Sequence, residues 1–153
     1  MKKNNLHYIL FFISFFLGCN NPRYSNYYSF EDEIWFQDSS IVFDFNSLNS
    51  KNLKFEISIS YDNNYPYQNL YTSYSLIDSK RNVINSEMIE IQLFEKKYGY
   101  PLGSGVYKNF IIDSTFMTID NVIPDEEYKL LVKHSMRDKS LIGINKLGIT
   151  ITD

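Results

Sequence analysis

The stretch Phe55-Glu56-Ile57-Ser58-Ile59-Ser60-Tyr61 decides the fold class, because apolar and polar residues alternate along its whole length. A period of two places the apolar side chains on one face of a β-strand and the polar ones on the other. Six further segments have a similar pattern or a strand-forming composition, at 41–45, 70–78, 89–93, 115–121, 128–134 and 147–152. Turn-forming residues separate them, and no long helical periodicity appears. The sequence therefore predicts an all-β protein, an antiparallel β-sandwich of about seven strands over residues 34–153.

One local pattern refines this prediction. Val122-Ile123-Pro124 leads through an acidic run to Tyr128, and this spacing resembles the corner between strands E and F of fibronectin-type sandwiches. In that corner a tyrosine hydroxyl bonds to the backbone across the turn. The alternative is an ordinary proline turn before a strand that contains a tyrosine. Either interpretation starts a strand near Tyr128, and the sandwich is expected to be fibronectin- or jelly-roll-like.

The composition is that of a folded domain. The chain has 153 residues, of which 44% are hydrophobic and 17% aromatic, with only 6 Gly and 4 Pro. This content supplies the apolar surface needed to offset the entropy of ordering one domain, and it excludes a disordered chain. Alanine is absent while aromatic and β-branched residues abound, which favours strands over helices.

The N-terminus predicts export. Lys2 and Lys3 precede the apolar run Tyr8–Leu17, which is too short to span a bilayer and is typical of a signal peptide over residues 1–18. Leu17, Gly18 and Cys19 resemble a bacterial lipobox, which implies cleavage after Gly18 and covalent lipid on Cys19, with no other cofactor. The alternative is an ordinary secretory peptide with an incidental cysteine, although Cys19 is the only cysteine in the chain.

The segment that follows is polar, and residues 19–33 are predicted to form a tether between the lipid and the domain. Removal of residues 1–18 takes away Lys2 and Lys3, so that 15 basic residues become 13 against 18 acidic ones, a net charge of −5. Such a chain has no broad basic surface, and nucleic-acid binding is excluded on this ground.

Motifs for catalysis are weak. His134 is the one histidine of the mature chain, and without a second histidine or a cysteine it predicts no zinc site. Gly103-Ser104-Gly105 lacks the spacing of a nucleophile elbow. Paired carboxylates could in principle hydrolyse a glycosidic bond, but the candidates are too many to be specific: Glu31, Asp32, Glu33, Asp125, Glu126 and Glu127. We therefore expect no enzyme, no metal site and no small-molecule substrate.

Aromatic residues offer the other candidate site. Tyrosines crowd around the predicted loops, at Tyr65, Tyr67, Tyr71, Tyr74, Tyr98 and Tyr100. If exposed, such rings could stack on sugars or form protein contacts, which makes a glycan-binding lipoprotein the alternative function. If buried, they pack over the ends of the sandwich. Arg137, at the end of its strand, is either a buried anchor paired with a carboxylate or a surface charge.

Three segments resemble a known family. Asn64-Tyr-Pro-Tyr-Gln-Asn-Leu70 is similar to the Y-P-Y-x-N-L segment of the gliding-motility lipoprotein GldH family. Leu102-Gly-Ser-Gly105 is similar to its W-L-G-x-G turn, with Pro101 in place of the tryptophan. The stretch from Ser135 to Gly148 resembles its closing M-R-x-x-x-x-x-G-I-x-x-L/V-G block. Trp35 and the strand after it also fit, so the resemblance covers most of the mature chain.

The resemblance implies a non-catalytic component of the Bacteroidetes gliding machinery, which is linked to type IX secretion. Its partners would be other gliding or secretion proteins of the envelope, and its lipid would hold it in the outer membrane. Because no acidic residue directly follows Cys19, a periplasm-facing orientation is expected. The candidate partner interface consists of Tyr65, Tyr67, Asn69 and Arg137. Structural roles are assigned to Pro66, Leu70, Leu102, Gly103, Gly105, Met136, Gly143 and Gly148, together with Pro124 and Tyr128 of the corner.

Overall fold

The computed structural model describes residues 22–47 and 51–153, and most of this part of the chain is strand. Eleven strands follow one another: β1 Tyr24–Ser29, β2 Ile34–Phe36, β3 Ile41–Asn46, β4 Asn52–Asp62, β5 Asn69–Asp78, β6 Val83–Gln92, β7 Ser104–Val106, β8 Asn109–Asp120, β9 Glu127–His134, β10 Ser140–Ile142 and β11 Ile144–Thr152. A three-residue 3-10 turn, Glu31–Glu33, separates β1 from β2.

The strands form three antiparallel sheets. One has five strands in the order β1-β11-β4-β8-β7, a second has four in the order β3-β9-β5-β6, and β10 pairs with β2 in the third. The predicted all-β, antiparallel class is confirmed, but the count of about seven strands is wrong. The seven predicted segments correspond to β3, β4, β5, β6, β8, β9 and β11. The others escaped prediction because β2, β7 and β10 have three residues each and β1 is polar and exposed.

The segment predicted as a tether requires a correction. Its residues 24–29 form β1, which pairs with β11 from Tyr24 opposite Ile151 to Ser29 opposite Lys146. Phe30, one residue later, is buried and stacks on Trp35 with the ring centroids 4.9 Å apart. An edge strand takes its hydrogen bonds from one neighbour and can be exposed on both faces, so it needs no apolar alternation. The predictions for residues 1–21 lie outside the described residues.

The core lies between the two larger sheets. In β4 the alternation that predicted the fold is realised, since Phe55, Ile57, Ile59 and Tyr61 are at most 1% exposed. Aromatic contacts join the sheets: Phe45 of β3 meets Phe55 of β4 at 5.6 Å between ring centroids. Fully burying side chains of this size contributes about 1.5–3 kcal/mol each, so these contacts dominate the stability of the fold.

The predicted corner begins a strand as expected. β9 starts at Glu127, and Tyr128 is buried, with its hydroxyl donating to Glu126 Oε2 at 3.2 Å. Burial raises the pKa of Tyr128, and a hydrogen bond from the Ile123 backbone partly offsets the rise. Ser47 closes the same corner: its hydroxyl donates to Ile123 O at 2.7 Å and accepts from Glu126 N at 3.1 Å. The corner is thus fastened by Ser47 as well as by the tyrosine.

Candidate functional site

The three sequence blocks that carry the family resemblance meet at one end of the sheets. There, β4 ends at Asp62 and β5 begins at Asn69, while the β6–β7 and β9–β10 connections cover the same end. We call this region the motif end and define it as residues 62–69, 93–103, 135–139 and 143. Its parts are distant in the sequence, and backbone and side-chain hydrogen bonds fasten them to one another.

Tyr65 anchors the first block. Its side chain is 4% exposed and its hydroxyl donates to Asn69 O at 2.8 Å, so the ring closes the β4–β5 loop from inside. Burial raises the pKa of this hydroxyl well above its ordinary value, and Tyr65 stays neutral. Tyr65, a candidate for the partner interface, thus has its ring turned into the protein and bonded within its own loop.

The third block contacts the β4–β5 loop at Gly143, next to Asp62 and Tyr65. Asp62 is buried and accepts hydrogen bonds from the backbone and side-chain nitrogens of Asn64, both at 2.8 Å. The backbone N–H of Asp62 donates to Gly143 O at 3.0 Å. Gly143 has φ +77°, and a Cβ there would lie 2.7 Å from Asp62 Oδ1 and 2.8 Å from Tyr65 Cα. The sequence analysis assigned no role to Asp62. The Asp-x-Asn spacing is the signal that could have identified its loop-closing role.

A second link between these blocks is exposed. The Tyr67 hydroxyl donates to Asp138 Oδ2 at 2.6 Å, and this hydrogen bond is the main reason that the pKa of Tyr67 is raised. The Tyr67 ring is 36% exposed, and Arg137 beside Asp138 is exposed too. Arg137 is therefore a surface charge, the second of the two interpretations open from the sequence.

Asn69 faces a neighbouring strand. Its side-chain nitrogen donates to Glu90 Oε1 at 2.7 Å, and this hydrogen bond, followed by one from Tyr71, holds the pKa of Glu90 below its ordinary value. Asn69 and Tyr71 are both half-buried. Asn69 thus lies at the margin of the motif end, and its side-chain amide is hydrogen-bonded to Glu90.

Met136 fixes the β9–β10 connection to β5. It is buried, and its sulfur accepts a hydrogen bond from Tyr71 N at 3.3 Å. One residue earlier, Ser135 N donates to Tyr71 O at 2.7 Å. Leu70 is fully buried beneath them. Met136 and Leu70 thus both belong to the buried core of the domain.

The second block is fastened through Tyr61. The Gly103 N–H donates to the Tyr61 hydroxyl at 3.0 Å, and that hydroxyl donates to Leu93 O at 2.6 Å. Leu93 O also accepts from Leu102 N at 2.9 Å. Tyr61 is fully buried, so this chain of hydrogen bonds satisfies polar groups in the interior. Sequence reasoning placed Tyr61 on a strand but did not detect its role as the support of the Gly103 turn.

The outermost part of the motif end is aromatic and basic. Tyr98 and Tyr100 are 63% and 67% exposed, with ring centroids 6.0 Å apart. Lys97 Nζ lies 4.7 Å from the centroid of the Tyr98 ring. Exposed tyrosines of this kind are enriched in protein contacts. The two rings are inclined by 43°, so they do not form the coplanar platform expected for sugar stacking.

The remaining predicted residues take simpler positions. Pro66, Leu102 and Pro124 are exposed or partly exposed, Gly105 lies in β7, and Gly148 of β11 lies opposite Ser58.

A groove of about 930 Å³ opens elsewhere, near Val42, Asp44 and Arg81, away from the motif end.

His134 is a packing residue. It is 1% exposed and meets Trp35 edge to face at 5.4 Å, and burial lowers its pKa. Within the described residues, no group of three or more histidine, cysteine or acidic side chains could hold a metal ion. A search of residues 22–47 and 51–153 likewise identifies no helix long and apolar enough to cross a membrane.

The structure is thus an all-β domain in which loops that are distant in the sequence are hydrogen-bonded to one another at one end of the sheets. The family model described as GldH lipoprotein matches residues 23–151. The chain therefore belongs to the GldH lipoprotein family, a family of lipoproteins associated with gliding motility. The match includes all three blocks of the motif end as well as β1. A search of curated proteins yields no match.

Several solved structures are weakly similar. A GH115 4-O-methyl-alpha-glucuronidase, BtGH115A, matches with 12% identity and a TM-score of 0.41, covering 77% of this chain and 14% of its own. The VP2 subviral particle of infectious bursal disease virus matches with 13% identity and a TM-score of 0.40, covering 88% and 34%. Latent PorU from Porphyromonas gingivalis matches with 12% identity and a TM-score of 0.34, covering 87% and 13%. The chain thus spans between 13% and 34% of the length of these structures.

Proposed function

We propose that this protein is a non-catalytic assembly or stabilising component of the gliding machinery linked to type IX secretion. Lipid on Cys19 would hold it in the outer membrane, facing the periplasm, with the two larger sheets forming a β-sandwich. Its partners would be other gliding or secretion proteins of the envelope. The function is one of binding, and it requires no small-molecule substrate, cofactor or nucleic acid.

One observation carries this proposal: the motif end lies at the opposite end of the strands from the start of the domain. β1 begins at Tyr24 beside Ile151, near the end of β11, whereas Gly143 directly precedes the start of β11. With nine residues in β11 at about 3.3 Å each, the two ends are about 30 Å apart. Pro22 follows Cys19 by three residues, which span at most about 11 Å. A lipid on Cys19 would therefore keep the start of the domain near the bilayer and direct the motif end away from it.

The surface chemistry at that end suits a protein partner. Tyr98, Tyr100 and Tyr67 supply rigid aromatic area, and Arg137 supplies a charge. Confinement to a membrane raises the effective concentration of a partner in the same layer, so a modest interface would suffice.

Site-specific photocrosslinking in cells tests the proposal. A photoreactive amino acid replaces Tyr100 at the motif end in one strain and Arg81, in the β5–β6 turn at the other end, in a second strain. We expect the probe at Tyr100 to crosslink to gliding or type IX secretion proteins and the probe at Arg81 not to do so. Equal labelling from both positions, or none, would contradict the motif end as the interface.

Affinity purification gives an independent test. The tagged, lipidated protein is purified from gently solubilised envelopes, beside a Tyr67→Ala/Arg137→Ala variant. Recovery of gliding or secretion proteins with the parent but not with the variant supports the assembly role. Recovery with polysaccharide instead favours the glycan-binding alternative. Cys19→Ser is the matched test of the anchor, and it should abolish both metabolic labelling by a fatty acid and recovery in the membrane fraction.

A further inference from the structure

β6 is an edge strand with one open side. It runs over ten residues and pairs with β5 at the end of the order β3-β9-β5-β6, and no described strand pairs with its other side. The pairing shifts by one residue between Leu76 and Ile77, so the regular part of the strand covers residues 85–92. We call this regular part the β6 edge.

The direction of the backbone groups along the β6 edge follows from its pairing. Leu93 N donates to Gln68 O at 2.8 Å, and in this register Ile91 faces Leu70 and Ile89 faces Thr72. Because hydrogen-bonded positions alternate in antiparallel pairs, the odd-numbered residues bond to β5. The even-numbered residues Ser86, Met88 and Glu90 therefore direct their N–H and C=O groups to the open side. Such a row of unpaired groups is a template for an additional strand.

The side chains along the edge limit what can pair with it. β6 has no lysine, arginine or proline and carries Glu87 and Glu90. β8 packs nearby in the other sheet, where Phe116 meets Tyr74 of β5 at 4.9 Å between ring centroids, and it too lacks basic residues while carrying Asp113 and Asp120. A second copy of the chain would bring carboxylates against carboxylates. The charge therefore disfavours self-pairing and favours a basic strand.

The apolar residues complete the pattern. Met88 is 62% exposed on the outer face and Ile89 is half-buried on the inner face, directly between the two glutamates. A strand laid along this edge would place one residue opposite each of these four positions.

We propose that the β6 edge binds an extended segment of a partner protein by strand addition, and that this segment has a basic–apolar–apolar–basic core. The apolar pair would pack opposite Met88 and Ile89, and the basic residues would pair with Glu87 and Glu90. This inference goes beyond the proposed function and uses a different strand, which adjoins the motif end at the Asn69–Glu90 hydrogen bond. Its test uses peptides and no gliding protein, so the two proposals can fail independently.

The test uses the full chain, purified in detergent, and fluorescein-labelled peptides. The probe is Thr-Thr-Lys-Val-Val-Lys-Thr-Thr, and the matched control peptide has glutamate in place of both lysines. We expect the lysine peptide to bind about tenfold more tightly or better by fluorescence anisotropy, with an affinity that falls as salt is added. Hydrogen exchange should slow at the amides of Ser86, Met88 and Glu90. No binding of the lysine peptide, or equal binding of the two peptides, would overturn the proposal.

Variants separate the backbone from the charge contribution. Met88→Pro removes an N–H that points to the open side and leaves the bonds to β5, so binding should fall about tenfold or more. Met88→Ser loses the same apolar contact but keeps the N–H, so it should bind more tightly than Met88→Pro. Should Met88→Pro fail to fold, Glu87→Gln/Glu90→Gln remains informative. It should reduce binding of the lysine peptide and abolish its salt dependence. Unchanged binding by that double variant contradicts the proposed pairing.

Discussion

Gly143 and Tyr65 lie so close together that the glycine has no room for a side chain. A Cβ on Gly143 would overlap the backbone nitrogen of Tyr65 and would lie 2.8 Å from its Cα. This approach joins the first and third family blocks, which are separated by most of the domain sequence. It is accompanied by the hydrogen bond from Asp62 N to Gly143 O at 3.0 Å.

Gly143→Ala is expected to destabilise the domain by about 3 kcal/mol or more. The left-handed backbone at φ +77° costs an alanine about 1–2 kcal/mol, and displacement of the Tyr65 backbone adds to that cost. Urea unfolding followed by tryptophan fluorescence measures the change. Gly99→Ala is the matched control, because Gly99 has φ +70° but nothing within 4 Å of the added Cβ. It should lose only about 1–2 kcal/mol. Equal losses in the two variants would show that the close approach to Tyr65 contributes nothing.

Tyr61→Phe is expected to cost about 1–3 kcal/mol, because it leaves the Gly103 N–H without its interior acceptor. The β6–β7 connection should loosen, so that trypsin cleaves faster at Lys96 and Lys97. Denaturant unfolding and limited proteolysis measure the two effects. Tyr27→Phe, at a ring that is 64% exposed, should change neither. Unchanged proteolysis of Tyr61→Phe would mean that the hydroxyl does not support this turn.

His134 is expected to make stability depend on pH below neutrality. Burial lowers the pKa of His134 below its ordinary value of 6.5, so as the pH falls from that value the unfolded state binds a proton before the folded state does. Stability is therefore lost as the pH falls from 6.5 through the lowered folded pKa, and it is retained above 6.5.

His134→Phe removes this contribution and keeps a ring against Trp35. Unfolding in urea at about pH 7.5 and at about pH 5 measures the difference. The parent should lose more stability between the two pH values than the variant, because the carboxylates are common to both proteins. The same loss in both would exclude His134 as the source.

Phe55→Ala is expected to cost about 3–5 kcal/mol, because it opens a cavity where the two larger sheets meet. Phe55 is fully buried and contacts Phe45 of one sheet and Phe116 of the other. Phe36→Ala removes an equal side chain from a position that is 52% exposed and should cost less than about 1 kcal/mol. Thermal or urea unfolding compares the two. Similar costs would contradict a shared core at Phe55.

The sequence could predict those strands that are buried on one face only, because their apolar and polar residues alternate. The alternation of Phe55, Ile57 and Ile59 directly predicted β4, the middle strand of the five-stranded sheet. β1 has no such pattern, because most of it is exposed on both faces and its place depends on hydrogen bonds to β11. β7 and β10 are too short for any periodicity to appear.

Only part of the candidate site could be predicted from the sequence, because long-range contacts leave no local pattern. Family-like segments marked Tyr65, Tyr67 and Gly143 as special, but their meeting depends on long-range topology that local patterns do not contain. The burial of Tyr65 follows from that topology, since the ring closes its own loop by donating to Asn69 O at 2.8 Å. Asp138 was missed because a single acidic residue in a loop carries no signal until its partner, Tyr67, is in place.

The pairing of β1 with β11 also sets an order of events for the growing chain. Arg23 forms an ion pair with Asp153, 130 positions away in the sequence, beside the start of β1. Synthesis delivers a polypeptide from its N-terminus, so residues 24–29 emerge long before the strand that receives them. The five-stranded sheet cannot be completed until residues 144–152 have followed, and closing so long a loop is slow. The connectivity therefore leaves β1 without its hydrogen-bonding partner while residues 30–143 are made, and the five-stranded sheet closes only when β11 arrives.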